Sequence, residues 1–276
     1  LYGFARMLLS LTRREKPELL VVCFDAPGPT FRHKLFERYK ATRKPIDEEL
    51  KSQLALSNEM ASAMGFACAQ LPGWEADDLI ATLTRRGRER GAEVVIVSGD
   101  KDALQLIDGH VRVLNEAKGT MLDEAAVVAK FGVRPVQVGD YLALTGDSSD
   151  NVPGVPGIGP VGAAKLLSRF GSLEALLAAA REGHGDIPAK TAESLRRGTE
   201  QVRFGRELVT LDSKSPVDID LDGCAPAVLS EAAPSTAATE RLVRLFTGLG
   251  FNSLLPAAEA GVRAGAQAGA SQAPVV

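Results

Sequence analysis

Eight carboxylates fall into four short clusters: Asp25; Glu75, Asp77 and Asp78; Asp100 and Asp102; Asp147 and Asp150. Each cluster has a plain structural explanation. Asp25 ends an apolar run. Glu75, Asp77 and Asp78 suit the first turn of a helix, where the macrodipole favours acids. Asp100 suits the N-cap of "KDALQLI", and Asp147 and Asp150 suit a turn. Taken together the clusters suit chemistry as well. Asp25 and the Asp100/Asp102 pair follow the carboxyl ends of two predicted parallel strands, the edge where open α/β sheets bind ligands. Acids converging there raise one another's pKa unless a cation holds them. No His or Cys stands among them, so the donors are hard oxygens, suited to Mg²⁺ or Mn²⁺ rather than Zn²⁺. Two such ions roughly 4 Å apart would hydrolyse a phosphodiester. One would activate water, and both would share the charge of the in-line transition state.

Two further stretches suit a polyanion. "FRHKLFERYKATRKPI", Phe31 to Ile46, carries six Lys/Arg against one Glu, with Phe31, Phe36 and Tyr39 among them. A Lys/Arg run is usually a solvated face. Aromatics for base stacking between cations for phosphates are the pattern of a single-strand channel. "GVPGIGPVGAAKLL", Gly154 to Leu167, fits a tight turn before a helix, with Pro160 in the first helical position and Gly171 as its stop. It also has the form of a helix-hairpin-helix, in which glycines let the backbone approach a phosphate at a helix N-terminus. Such a contact reads backbone and not sequence.

The elements that must hold these groups are legible in the apolar pattern. Helices are predicted at 2–13, 47–64, 75–90, 123–131 and 135–144, and strands at 19–24, 93–97 and 111–114. Alternation of strand and helix predicts an α/β fold with a mainly parallel sheet flanked by helices. After Gly146 the pattern turns helical, with helices predicted at 160–170, 173–181, 189–205 and 239–249 and an extended "SPVDIDL" between the last two. The expected division is an α/β core over 1–145, a helical DNA-binding part with the hairpin over 146–256, and a disordered tail or linker over 257–276. The chain has 276 residues, 45% of them apolar and 24% charged, and a net charge of −3. Those values are ordinary for a soluble globular protein, and no apolar run reaches membrane-helix length. The net charge argues mildly against nucleic acid, but the basic run alone sums to +5, so segregation matters more than the total. Three cysteines without metal spacing read as thiols in a reducing, cytoplasmic compartment.

At "VCFDAPGPTFRHKLFERYKATR", "LPGWEADDLIATL", "VSGDKDALQL", "YLALTGDSSDNVPGVPGIGPVGAAKLL" and "RLVRLFTGLGFNSLL" the chain resembles the 5′-nuclease domain of bacterial DNA polymerase I, in the flap-endonuclease-like superfamily. The resemblance implies a PIN-like nuclease core. It also implies 5′–3′ exonuclease and 5′-flap endonuclease activity on DNA replication and repair intermediates. The ligands of two metal ions would be Asp25, Glu75, Asp77, Asp78, Asp100, Asp102, Asp147 and Asp150, directly or through water. Residues about 28–60 would form an arch over the site, with Lys40 and Arg43 steering the scissile phosphate and Arg32, Lys34 and Tyr39 on the DNA. Gly157, Gly159 and Lys165 would grip duplex DNA, with a K⁺ at the hairpin. The implied partners are DNA with a 5′ end or flap and a linked or separate DNA polymerase, for a monomer in the nucleoid-associated cytoplasm.

Trp74 stands where relatives often carry Tyr. Family members also open with a strand ending in one more ligand Asp, which these 276 residues do not contain. The expectation is therefore a weakly active, less stable chain, rescued by an upstream strand ending in Val-Asp-Gly or similar. Two rival readings are a non-catalytic module for branched DNA and a ribonuclease on the PIN-like fold. The glycine hairpin, which suits duplex DNA, weighs against the ribonuclease.

Overall fold

The structure is a computed structural model that describes residues 1–226 and 236–256. The expected tail over 257–276 lies outside the described residues. The chain divides into two compact units.

The first unit comprises Leu1–Phe24, Pro45–Gln70 and the described part of Val217–Val276. Helix α1 (Tyr2–Glu15) buries Ala5, Leu8, Leu9 and Thr12 along one face, the 3–4 spacing of an amphipathic helix. The Thr12 hydroxyl donates to the Leu8 carbonyl at 2.7 Å, which satisfies it inside the core. Strand β1 (Val21–Phe24) pairs in parallel with β2 (Ala67–Gln70), Val21 opposite Ala67. Helix α3 (Glu48–Ala63) precedes β2. Met60, Ala61, Met64 and Phe66 pack with α1 and with Phe246 of α11 (Thr236–Gly248). Strand β2 is absent from the sequence-based expectations. "ACAQ" has no β-branched residue, and its strand character comes from pairing with β1.

The second unit comprises Asp25–Lys44 and Leu71–Pro216. A short helix α2 (Phe31–Leu35) starts it, and α4 (Ala76–Glu89) follows. Strand β3 (Val94–Val97) pairs in parallel with β4 (Val111–Asn115), and β4 pairs antiparallel with β5 (Thr120–Leu122). Helices α5 (Glu124–Phe131), α6 (Val138–Thr145), α7 (Pro160–Phe170) and α8 (Leu173–Glu182) come next. One core runs from Ile96 and Val113 of the strands through Leu142 and Leu144 of α6 to Leu167 and Leu176. The single helix expected over 189–205 is two, α9 (Ala189–Arg197) and α10 (Thr199–Val209). The break is at Gly198, whose N–H still closes on the Ser194 carbonyl at 2.9 Å while its backbone leaves the helical region. Strand pairing is parallel in both β1–β2 and β3–β4, as expected of an α/β fold, and the residues after Gly146 build helices. Among the described residues no helix is long and apolar enough to cross a membrane.

Candidate active site

The carboxylates meet in the second unit, each placed by a local device. Glu75 is the N-cap of α4 and forms a reciprocal capping box with Asp78. Asp25, directly after β1, accepts the Ala76 N–H at 2.8 Å through Oδ1, another free donor of that first turn. The capping explanation of these acids therefore holds, and the same contacts deliver them to one place. Asp100 accepts the Asp102 N–H at 3.0 Å and turns the chain after β3. Asp147 and Val152 exchange two backbone hydrogen bonds of 2.8 Å, closing the loop that carries Asp147 and Asp150. Gly146 and Gly154 touch at the base of that loop. A Cβ on Gly146 would lie 2.6 Å from the Gly154 nitrogen, and one on Gly154 would lie 2.4 Å from the Thr145 carbonyl carbon. Only hydrogens fit there.

Asp102, Asp147 and Asp150 are all buried, and ligand oxygens from the three lie within 4.8 Å of one another. Oδ1 of Asp102 has no hydrogen-bond partner. Burial, then the charges of Asp100, Asp147 and Asp150, push the Asp102 carboxyl up to about 8. Asp77 is pushed up to about 6 by burial and then by Asp100 and Asp25. Asp100 thus couples two groups of acids, one around Asp77 and one around Asp102. Three converging buried carboxylates with an unserved oxygen fit a hard divalent cation.

Cations and a phenol brace this array. Arg32 is 1% exposed. Its guanidinium forks onto both Asp78 oxygens at 2.7 and 2.8 Å, reaches Glu75 at 3.3 Å, and donates to the carbonyls of Leu208 and Thr210. Burial works against that charge, but the carboxylates of Asp78 and Glu75 more than offset it and raise its pKa. The Tyr39 hydroxyl lies between Asp150 Oδ2 at 2.7 Å and Glu75 Oε2 at 3.0 Å. Burial, then Glu75 and Asp150, raise its pKa and keep it a donor. Lys40 Nζ meets Glu75 at 2.6 Å, Arg43 meets Asp150 at 2.8 Å, and Lys101 Nζ meets Asp147 at 2.9 Å.

Three expectations change. Arg32 and Tyr39, expected on the DNA, lie inside the protein, because their polar groups are consumed by carboxylates. Asp78, expected as a metal ligand, is 0% exposed. Both its oxygens are taken by Arg32, with the Glu75 and Asp212 N–H groups adding to them. Its carboxylate ties Arg32 to the first turn of α4. Lys34 is exposed on α2 and Lys165 is exposed on α7, both away from these pairings. Gly157 has φ +86° and open space about it, and Gly159 opens α7 with its carbonyl taking the Ala163 N–H. Lys101 went unread in the sequence, although its place between the two acids of "GDKD" was a signal.

An α/β unit with clustered acids beyond its strands, followed by a glycine hairpin between helices, is the architecture of a metal-dependent nuclease. The family model of the 5′–3′ exonuclease N-terminal resolvase-like domain matches residues 1–132, and that of the 5′–3′ exonuclease C-terminal SAM fold matches residues 133–232. A 5′–3′ exonuclease of Aquifex aeolicus is 40% identical over 208 residues, covering 75% of this chain and 72% of that one. The chain belongs to the 5′–3′ exonuclease family. DNA polymerase I of Bacillus caldotenax is 39% identical over 258 residues, covering 92% of this chain. The chain spans only 28% of that polymerase. It spans 22% of DNA polymerase I from Deinococcus radiodurans, which is 43% identical over 218 residues and 79% of this chain. Among solved structures, phage T5 5′-exonuclease with bound divalent metal ions (zinc) superposes with a TM-score of 0.67 at 21% identity. That match covers 76% of this chain and 81% of the other. A bacteriophage T5 flap endonuclease in a pseudo-enzyme-product complex with DNA and metal ions gives 0.66 at 18% identity, covering 95% and 90%. These neighbours share the fold.

Proposed function

We propose that the chain hydrolyses DNA phosphodiesters at 5′ ends and at the base of 5′ single-stranded flaps, leaving a 5′-phosphate and a 3′-hydroxyl. The supporting observation is the buried Asp102–Asp147–Asp150 trio with its unpartnered Oδ1. Asp102, Asp147 and Asp150 would hold one Mg²⁺ or Mn²⁺, and Asp25, Asp77, Asp100 and Glu75 the other. When bound, the ions supply an activated water and offset the charge that builds on the phosphate.

The protein's own groups do the rest. Arg32 and Asp78 fix Glu75 and the start of α4. Tyr39 ties Glu75 to Asp150. Lys40 and Arg43, on the basic stretch, present cations to a phosphate that enters beside the carboxylates. At the hairpin, Gly157 and Gly159 leave the backbone open and Lys165 adds a charge, so duplex backbone is held without reading sequence. A K⁺ on the hairpin carbonyls would suit that grip. The chain acts as a monomer in a reducing cytoplasm near DNA, beside or joined to a polymerase.

A labelled 5′-flap duplex with Mg²⁺ or EDTA tests this. Cleavage should need Mg²⁺, and Asp100→Asn should abolish cleavage while leaving binding intact. Unchanged cleavage by that variant would sink the assignment.

A further inference from the structure

Four cations touch the carboxylates, and they are of two kinds. Arg32 is built in, since its charge is buried and all its N–H groups are engaged. Lys40, Arg43 and Lys101 reach in from solvent. Lys101 is the lysine on the buried trio. Its side chain is 33% exposed, whereas that of Asp147 is 2% exposed. The contact is a single hydrogen bond of 2.9 Å to Oδ1, an oxygen that also accepts the Ser149 N–H at 2.9 Å.

We propose that Lys101 is a resident counter-ion of the pocket, seated on Asp147 until a divalent cation displaces it. This rests on the metal-binding reading of the trio. A buried carboxylate without a partner is strongly unfavourable, so Asp147 requires a cation before any metal arrives. An ammonium on a flexible stem suits a temporary tenant. It is a point charge with one contact, not a two-pronged fork, and its side chain, about a third exposed, has a way out. A divalent ion among these oxygens would place two positive charges beside the ammonium, where the low dielectric magnifies repulsion. One lysine also cannot satisfy the pocket: Asp102 Oδ1 stays without a donor. A metal that gathers several oxygens can.

The test uses the full chain with Mn²⁺, the free ion counted by electron paramagnetic resonance. Lys101→Met should bind Mn²⁺ about tenfold more tightly than the wild type, since it removes one competing charge. Lys101→Arg should bind Mn²⁺ no more tightly than the wild type, since it keeps the competing charge on a fork that is harder to displace. Separately, reductive methylation of wild-type protein should modify Lys101 severalfold faster with saturating Mg²⁺ than with EDTA. Unchanged or weaker Mn²⁺ binding by Lys101→Met overturns the proposal. So does methylation that metal leaves unchanged or slows, a measurement that stands even if the variants do not fold. The two readings fail differently. Mn²⁺ binding that Asp102→Asn leaves untouched removes the metal site itself. One Mn²⁺ per chain lost in Asp102→Asn, with affinity equal in Lys101→Met and wild type, removes only the role of Lys101.

Discussion

Arg32 shows how much one side chain can hold. Its five contacts join α2, the start of α4 and the end of α10. Arg32→Met strands two buried carboxylates and should cost about 3–5 kcal/mol in urea unfolding. Arg32→Lys should recover little of it, because an ammonium cannot reproduce the fork. Tyr39→Phe keeps the ring and removes only the donor shared by Glu75 and Asp150. It should lower stability by about 1.5–3 kcal/mol, less than Arg32→Met, and weaken metal affinity or cleavage about 10- to 100-fold. Asp102→Asn moves stability the other way. It removes a crowded carboxyl that folding must protonate at neutral pH, so the metal-free protein should melt a few degrees higher, about 2–4 °C, while cleavage is lost. A metal-free variant that melts lower would contradict the crowding. The eight acids and the basic stretch could be read from sequence because spacing and composition display them. Which acids are bound by cations of the protein could not. "EADDL" gives Asp77 and Asp78 equal standing, and only the fold shows that Asp78 faces Arg32.

At the scale of elements, the loop from Gly146 to Gly154 carries two of the three trio carboxylates, and main-chain contacts close its base. Gly154→Ala forces a methyl into the Thr145 backbone and should destabilise at the upper end of single substitutions, about 3–5 kcal/mol. Differential scanning fluorimetry of that variant, with and without Mg²⁺, should show a lower melting temperature and little response to metal. Helix positions were legible because their apolar residues recur at 3.6 and because Gly132, Gly171 and Pro160 mark their ends. β2 was not, since it becomes a strand only through β1, far back along the chain, and β5 was not, since it is a three-residue strand that depends on pairing with its neighbour β4. The break at Gly198 was hidden because the apolar pattern continues across it.

For the whole molecule, the pH dependence follows from Asp102. Folding raises its carboxyl from 3.8 to about 8, so between those values the folded chain holds a proton the unfolded chain has lost. Stability of the metal-free protein should therefore fall as pH rises through that window, with the full loss above about pH 8. Divalent metal competes with the same proton. The gain in melting temperature on adding Mg²⁺ should grow from pH 6 to pH 8.5, and a gain that shrinks over that range would contradict a shared site. The net charge of −3 gives no hint of DNA. The basic run does, and binding of a flap duplex should weaken steeply between low and moderate salt as counterions compete.

The chain has one tryptophan. Trp74 precedes Glu75, and its ring lies 5.1 Å from that of Phe31, which adjoins Arg32. An indole next to the N-cap of α4 is a lamp wired to the site. Its emission should shift as Mg²⁺ is titrated in and shift less in Asp77→Asn. The protein can thus be asked how full it is by light alone, with no label attached and no substrate present.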